Sequence, residues 1–150
     1  MTQLKIQNSK PKTQNSPPQV IFLDAVGTLF GVKGSVGEVY RDIARRFGVE
    51  VRATTLNQAF FQSFRAAGTP AFPGINDVAE IQAKELAWWL AITTQTFKQA
   101  GALHQFSNFG EFFTELYSHF ATAEPWIIYP DVLPALDKLA EIGHSTGNFV

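Results

Sequence analysis

Asp24 is the residue from which chemistry is most readily built. It follows the apolar run Val20-Ile21-Phe22-Leu23 and leads into Ala25-Val26-Gly27-Thr28-Leu29-Phe30. Four apolar residues ahead of it, rich in β-branched and aromatic types, read as a strand buried on both faces. A carboxylate at the carboxyl end of such a strand lies where open α/β sheets place their reactive groups. An ordinary acid/base pair would carry a second acid two positions further on, and Val26 stands there. Taken without its neighbours, Asp24 could equally cap a turn.

The elements that must position this loop are mostly helical. Gly27, Gly31, Gly34 and Gly37 crowd one stretch, which predicts an irregular loop. Ser35 and Glu38 form a capping box ahead of a helix whose apolar face is Val36, Val39, Tyr40, Ile43, Ala44 and Phe47, with Gly48 as its stop. Thr55 and Gln58 open a second helix, with Leu56, Ala59, Phe60, Ser63, Phe64 and Ala67 on one side. Gly68, Pro70, Pro73 and Gly74 make the next loop. A third helical region covers about residues 77–100, and Ile92-Thr93-Thr94 is a place where it could bend or split. Ser107 is the candidate cap of a fourth helix bearing Phe109, Phe112, Phe113, Leu116, Tyr117 and Phe120. Its aromatic stripe is expected to be core packing. Trp126-Ile127-Ile128-Tyr129 is extended, and Pro130-Asp131 starts a fifth helix that buries Val132, Leu133, Leu136, Leu139 and Ile142 and stops at Gly143. Asp131 is expected to cap that helix. Residues 144–150 enter a second strand. One strand, a block of helices, then a helix and a new strand fit an α/β fold whose first crossover carries a large helical insertion.

Composition narrows the partners. The 150 residues hold 12 Lys plus Arg against 13 Asp plus Glu, and 45% are hydrophobic. One domain with a real core is possible at that length. Near-neutral charge argues against nucleic acid or an anionic membrane. Arg45-Arg46, the one adjacent basic pair, is read as a solvated helix face. With no cysteine there is no disulfide, no thiolate metal site and no cysteine nucleophile. His104, His119 and His144 lack ligand spacing, so zinc is not expected. Residues 1–19 are polar and lack the apolar core of a signal peptide, and no apolar run approaches the ~20 residues that span a bilayer. A cytoplasmic protein with a disordered polar leader is expected, order beginning at Pro17-Pro18.

A strand-end Asp24 followed by Gly27-Thr28-Leu29-Phe30 resembles the first motif of the haloacid dehalogenase superfamily. The segment Tyr129-Pro130-Asp131-Val132-Leu133 resembles that family's return from an inserted helical cap to the core. The Trp88-Trp89 region resembles the cap of the branch that carries Asp-x-Val-Gly-Thr-Leu-Phe. The likeness covers about residues 20–143, and the chain resembles the amino-terminal half of such a protein.

The resemblance implies a Rossmann-like α/β core with a helical cap, this chain being mostly helical with one complete core strand. It implies residues 1–18 as leader, 19–34 as core strand and motif loop, 35–125 as cap and 126–150 as return to the core. It implies Asp24 as a nucleophile that attacks phosphorus. A magnesium ion would be held by the Asp24 carboxylate and the main-chain carbonyl of Val26, Gly27 would permit the backbone path beside the ion, and Thr28 would support the loop. Most phosphatases of the family carry a second Asp at the position of Val26, which protonates the leaving oxygen. Members that act on carbon–halogen bonds lack it. The family's later Ser or Thr, Lys and acidic pair have no match in Ser145, Thr146 or Lys138. Three functions follow as expectations. The first is magnesium-dependent, phosphatase-type hydrolysis of a small phosphorylated metabolite. The second is a catalytically inactive truncated relative that acts by binding. The third is hydrolysis of a carbon–halogen bond. One of Trp88 and Trp89, roughly 100° apart on their helix, is expected to face the cleft between cap and core.

Overall fold

The computed structural model describes residues 20–141 and the backbone of residues 145–146. It is an α/β structure dominated by helices. Among the described residues the elements run β1 Val20–Ile21, β2 Phe30–Val32, α1 Val36–Arg46, α2 Ala53–Ala67, α3 Val78–Gln99, a 3-10 turn Leu103–Gln105, α4 Phe109–Phe120, β3 Trp126–Ile128, α5 Val132–Glu141 and β4 Ser145–Thr146. The chain divides into two compact units. One is Phe30–Ile128, and the other combines residues up to Leu29 with those from Tyr129 onward.

The unit Phe30–Ile128 holds an aromatic core. Tyr40 and Ile43 from α1, Leu56 and Phe60 from α2, Ile92 and Phe97 from α3, and Phe112 and Leu116 from α4 are buried together. Phe97 sits at its centre, stacked on Tyr40 at 6.1 Å and meeting Phe106 and Phe112 edge-on at 5.0 Å each. Offset-stacked and edge-on arrangements are the ones that ring quadrupoles favour. Helix α1 begins as its sequence predicts, with the Ser35 hydroxyl accepting from the Glu38 amide at 3.2 Å. Gly37 lets α1 approach α2 closely. Its amide donates to Asn57 Oδ1 at 3.3 Å, and a Cβ there would meet the Ala53 carbonyl oxygen.

Within this unit four sequence expectations change. Helix α2 opens at Ala53 behind Arg52, without a side-chain cap bond, and not at Thr55. Packing against its neighbours therefore holds its first turn. Helix α3 is continuous through Ile92-Thr93-Thr94. The Thr93 and Thr94 hydroxyls donate back to the carbonyls of Trp89 and Leu90, so these side chains are satisfied within the helix. Asn108, not Ser107, caps α4, its Oδ1 accepting from the Glu111 amide at 3.1 Å. The glycine-rich stretch is not wholly a loop. Gly31 lies in β2, which pairs antiparallel with β3 in the register Phe30↔Ile128, Gly31↔Ile127, Val32↔Trp126. Trp126 then donates through Nε1 to the Phe120 carbonyl and packs edge-on against Phe30 and Phe120, tying the ladder to α4.

In the other unit β1 pairs in parallel with β4, Val20 with Ser145 and Ile21 with Thr146. The expected four-residue buried strand is two residues long. Val20 is 52% and Phe22 74% exposed. Helix α5 buries Val132, while Leu133 is exposed and Leu136 and Leu139 are half-buried. The Asp131 carbonyl accepts the Ala135 amide at 3.1 Å, and among the described residues the expected side-chain cap by Asp131 does not form. The expected leader in residues 1–18, the stop at Gly143 and Ile142 lie outside the described residues.

Two outcomes test this packing. Gly37→Ala should lower the stability of the helical unit by about 1–3 kcal/mol, read by urea denaturation, because backbone and not a flexible side chain blocks the new methyl. Burial pushes the Tyr40 hydroxyl up to about 12, with the Thr93 hydrogen bond opposing. A group whose folded pKa is raised stabilises the fold below its unfolded value and loses that contribution as pH rises toward the folded one. Stability should therefore fall between pH 10 and about 12, and Tyr40→Phe should flatten that part of the denaturation profile.

Candidate active site

Asp24 lies three residues past the end of β1, on an exposed turn and not at the strand's last position. The turn is built by its own backbone. The Ala25 carbonyl accepts both the Thr28 amide at 3.3 Å and the Leu29 amide at 2.8 Å. Gly27 sits at φ +92°, a backbone conformation that side chains with a Cβ rarely adopt. This fold-back brings Thr28 to Asp24. Its Oγ1 donates to Asp24 Oδ2 at 3.1 Å. One carboxylate oxygen is thus held by a hydroxyl, and Oδ1 has no hydrogen bond of its own among those described. The structure therefore brings together Asp24, Gly27 and Thr28.

Val26 presents its side chain to solvent, 58% exposed, within the same turn. Residues 24–29 carry one titratable side chain, that of Asp24. The hydroxyl of Thr28 is a neutral hydrogen-bonding group at ordinary pH. As an arrangement, this is a solvent-facing carboxylate with a fixed orientation and no acidic neighbour in its turn. It can bind a cation or attack an electrophile, and nothing in the turn can shuttle a proton for it.

A family model described as hydrolase, haloacid dehalogenase-like hydrolase, matches residues 18–148. The chain belongs to the haloacid dehalogenase-like hydrolase family. Among its relatives is haloacid dehalogenase-like hydrolase domain-containing protein 3. The Xenopus laevis protein is 28% identical over 125 residues, covering 83% of this chain and 50% of the relative. The Bos taurus protein is 33% identical over 108 residues, 72% of this chain and 41% of the relative. The Homo sapiens protein is 32% identical over 83 residues, 55% of this chain and 32% of the relative. The chain spans about half the length or less of these relatives.

Magnesium is the cation to test against the site. It takes one or two carboxylates, keeps several waters and completes its shell with phosphate oxygens. The Asp24 carboxylate and the Val26 main-chain carbonyl are donors of the right hard-oxygen type, and they fit such a sparse protein contribution. No group of three His, Asp or Glu side chains that could hold a metal ion gathers among the described residues of this haloacid dehalogenase-like chain.

The remaining candidates fall elsewhere. Trp88 and Trp89 are half-buried and meet each other at 4.6 Å, both packing on Phe64, and Trp88 Nε1 donates to the Ala67 carbonyl at 3.4 Å. Both are thus engaged within the helical unit. His119 Nδ1 lies 3.8 Å from Glu124 Oε2, and His144 is outside the described residues. Lys138 is exposed on α5. Ser145 and Thr146 form β4. Arg45 and Arg46 are exposed, as a solvated face requires, and pair with Glu50 at 3.0 Å and Glu115 at 2.7 Å. No helix among the described residues is long and apolar enough to cross a membrane.

The turn at Gly27 can be tested directly. Gly27→Ala should weaken it by about 1–3 kcal/mol, the usual cost of holding a residue with a Cβ in such a conformation. The readout is faster amide hydrogen exchange at Thr28 and Leu29, with the amides of α3 unchanged.

Proposed function

We propose that this chain carries phosphatase-type hydrolase chemistry at Asp24, dependent on magnesium, with a small phosphorylated metabolite as its substrate class. The observation that carries the reading is the exposed Asp24 carboxylate, oriented through Oδ2 by the Thr28 hydroxyl at 3.1 Å. One oxygen held by a neutral donor leaves the other to attack phosphorus, and carboxylates do serve as phosphoryl acceptors. Bound magnesium would supply charge shielding between an anionic nucleophile and an anionic phosphate. Asp24 and the Val26 carbonyl would hold it, Gly27 would keep the backbone close, and Thr28 would fix the carboxylate. The activity, the metal and the substrate are proposals for the whole protein, since the matched region covers half or less of these relatives.

Val26 favours a second reading, attack on a carbon–halogen bond. Halide departs without needing a proton, so that chemistry does not ask for an acid at position 26. It would show as halide release from a 2-halo acid that is lost in Asp24→Asn.

Beryllium fluoride with magnesium mimics a phosphoryl group on a carboxylate and tests the first reading. It should raise the melting temperature of the wild-type chain and leave that of Asp24→Asn unchanged. No shift in wild type would favour the non-catalytic reading, in which the chain acts by binding.

A further inference from the structure

Helix α3 carries two apolar stripes. One, through Ile92 and Phe97, is buried in the core of the helical unit. The other, Ala83, Leu86, Ala87 and Leu90, has the spacing of a single helix face and lies in the open. Leu86 is 42% and Leu90 38% exposed. With Phe113 and Tyr117 of α4 these residues line a groove of about 600 Å³, and none of its lining side chains is charged. A solvated helix face is ordinarily polar. An uncharged apolar groove with aromatic side chains in its wall has the make-up of an interface core.

We infer that this groove is an interface with a second copy of the chain, α3 packing antiparallel on the partner's α3. The stripe is complementary to itself in that direction. Reversing it about the midpoint between Leu86 and Ala87 sets Leu86 against the partner's Ala87 and Leu90 against the partner's Ala83. A large side chain then lies over a small one at each level, so the helix axes can come close. A two-fold axis makes every such contact twice. The area is also sufficient. Helix α3 has 22 residues and α4 has 12. They are about 33 Å and about 18 Å long, and strips about 10 Å wide along them give roughly 500 Å² per copy. The total of about 1,000 Å² is where specific interfaces begin, which fits a reversible dimer and not an obligate one.

Sedimentation velocity of the full chain across the micromolar range tests this. Wild type should pass from monomer to dimer as concentration rises. Leu90→Lys changes an exposed position and leaves the core intact. It should weaken dimerisation roughly tenfold or more, with the thermal melt of the dilute chain unchanged. Ala87→Leu separates register from mere stickiness. It adds apolar surface but fills the space taken by the partner's Leu86, so it too should weaken the dimer. Combining Ala87→Leu with Leu86→Ala swaps large for small on both sides of the seam and should restore association. A wild type that stays monomeric at every concentration overturns the inference. So does a dimer that Leu90→Lys leaves intact, one that Ala87→Leu tightens, or one that the double swap fails to restore.

Discussion

The stacking of Tyr40 on Phe97 at 6.1 Å is the contact on which the helical unit converges. Tyr40 also meets Phe60 and Phe120 edge-on, and Phe97 meets Phe106, Phe109 and Phe112 in the same way. These rings draw on all four helices of the unit and on the chain that links α3 to α4. Removing an aromatic side chain from such a site typically costs about 3–5 kcal/mol, because neighbours relax only partly into the space. The hydroxyl of Tyr40 is accommodated by Thr93 at 3.4 Å, which keeps a buried polar atom paired. Thr96, also buried, satisfies itself on the Ile92 carbonyl.

The unit that bears Asp24 is built differently. Among its described residues, Val132 is the buried apolar side chain. Its order near Asp24 comes from hydrogen bonds: within the turn, two amides on the Ala25 carbonyl and one hydroxyl on the carboxylate, and from far along the chain, the Tyr129 amide on the Leu29 carbonyl at 3.1 Å. Such bonds are individually worth about 0.5–1.5 kcal/mol in net terms. The candidate nucleophile thus sits on a turn shaped largely by hydrogen bonds within residues 24–29, while burial is concentrated in the helices.

Helix existence was readable because apolar spacing of three and four residues is a local signal that packing also demands. The Ser35–Glu38 cap is an instance in which local and tertiary preferences agree. The start of α2 was not readable, since Arg52 makes no side-chain cap bond and neighbouring helices decide where that helix begins. The α4 cap moved by one residue because Asn108 and Ser107 are both good caps and only the backbone path chooses between them. Strand β2 has no local signature, because its pairing partner β3 lies more than 90 residues away, as Gly31↔Ile127 shows, and glycine carries no strand signal.

The residues of the site were legible for a related reason. Asp24, Gly27 and Thr28 lie within one turn, so their spacing alone brings the hydroxyl to the carboxylate once Gly27 adopts positive φ. Family membership, the nucleophile candidate and the absence of a second acid at Val26 are properties of sequence by itself, because each is a matter of residue type and close spacing. Tertiary structure decided that Asp24 stands on an exposed turn beyond a two-residue strand, that Trp88 and Trp89 pack on Phe64, and that Gly31 belongs to a ladder. Those outcomes depend on contacts between residues far apart in the chain, whose free energy no local pattern contains.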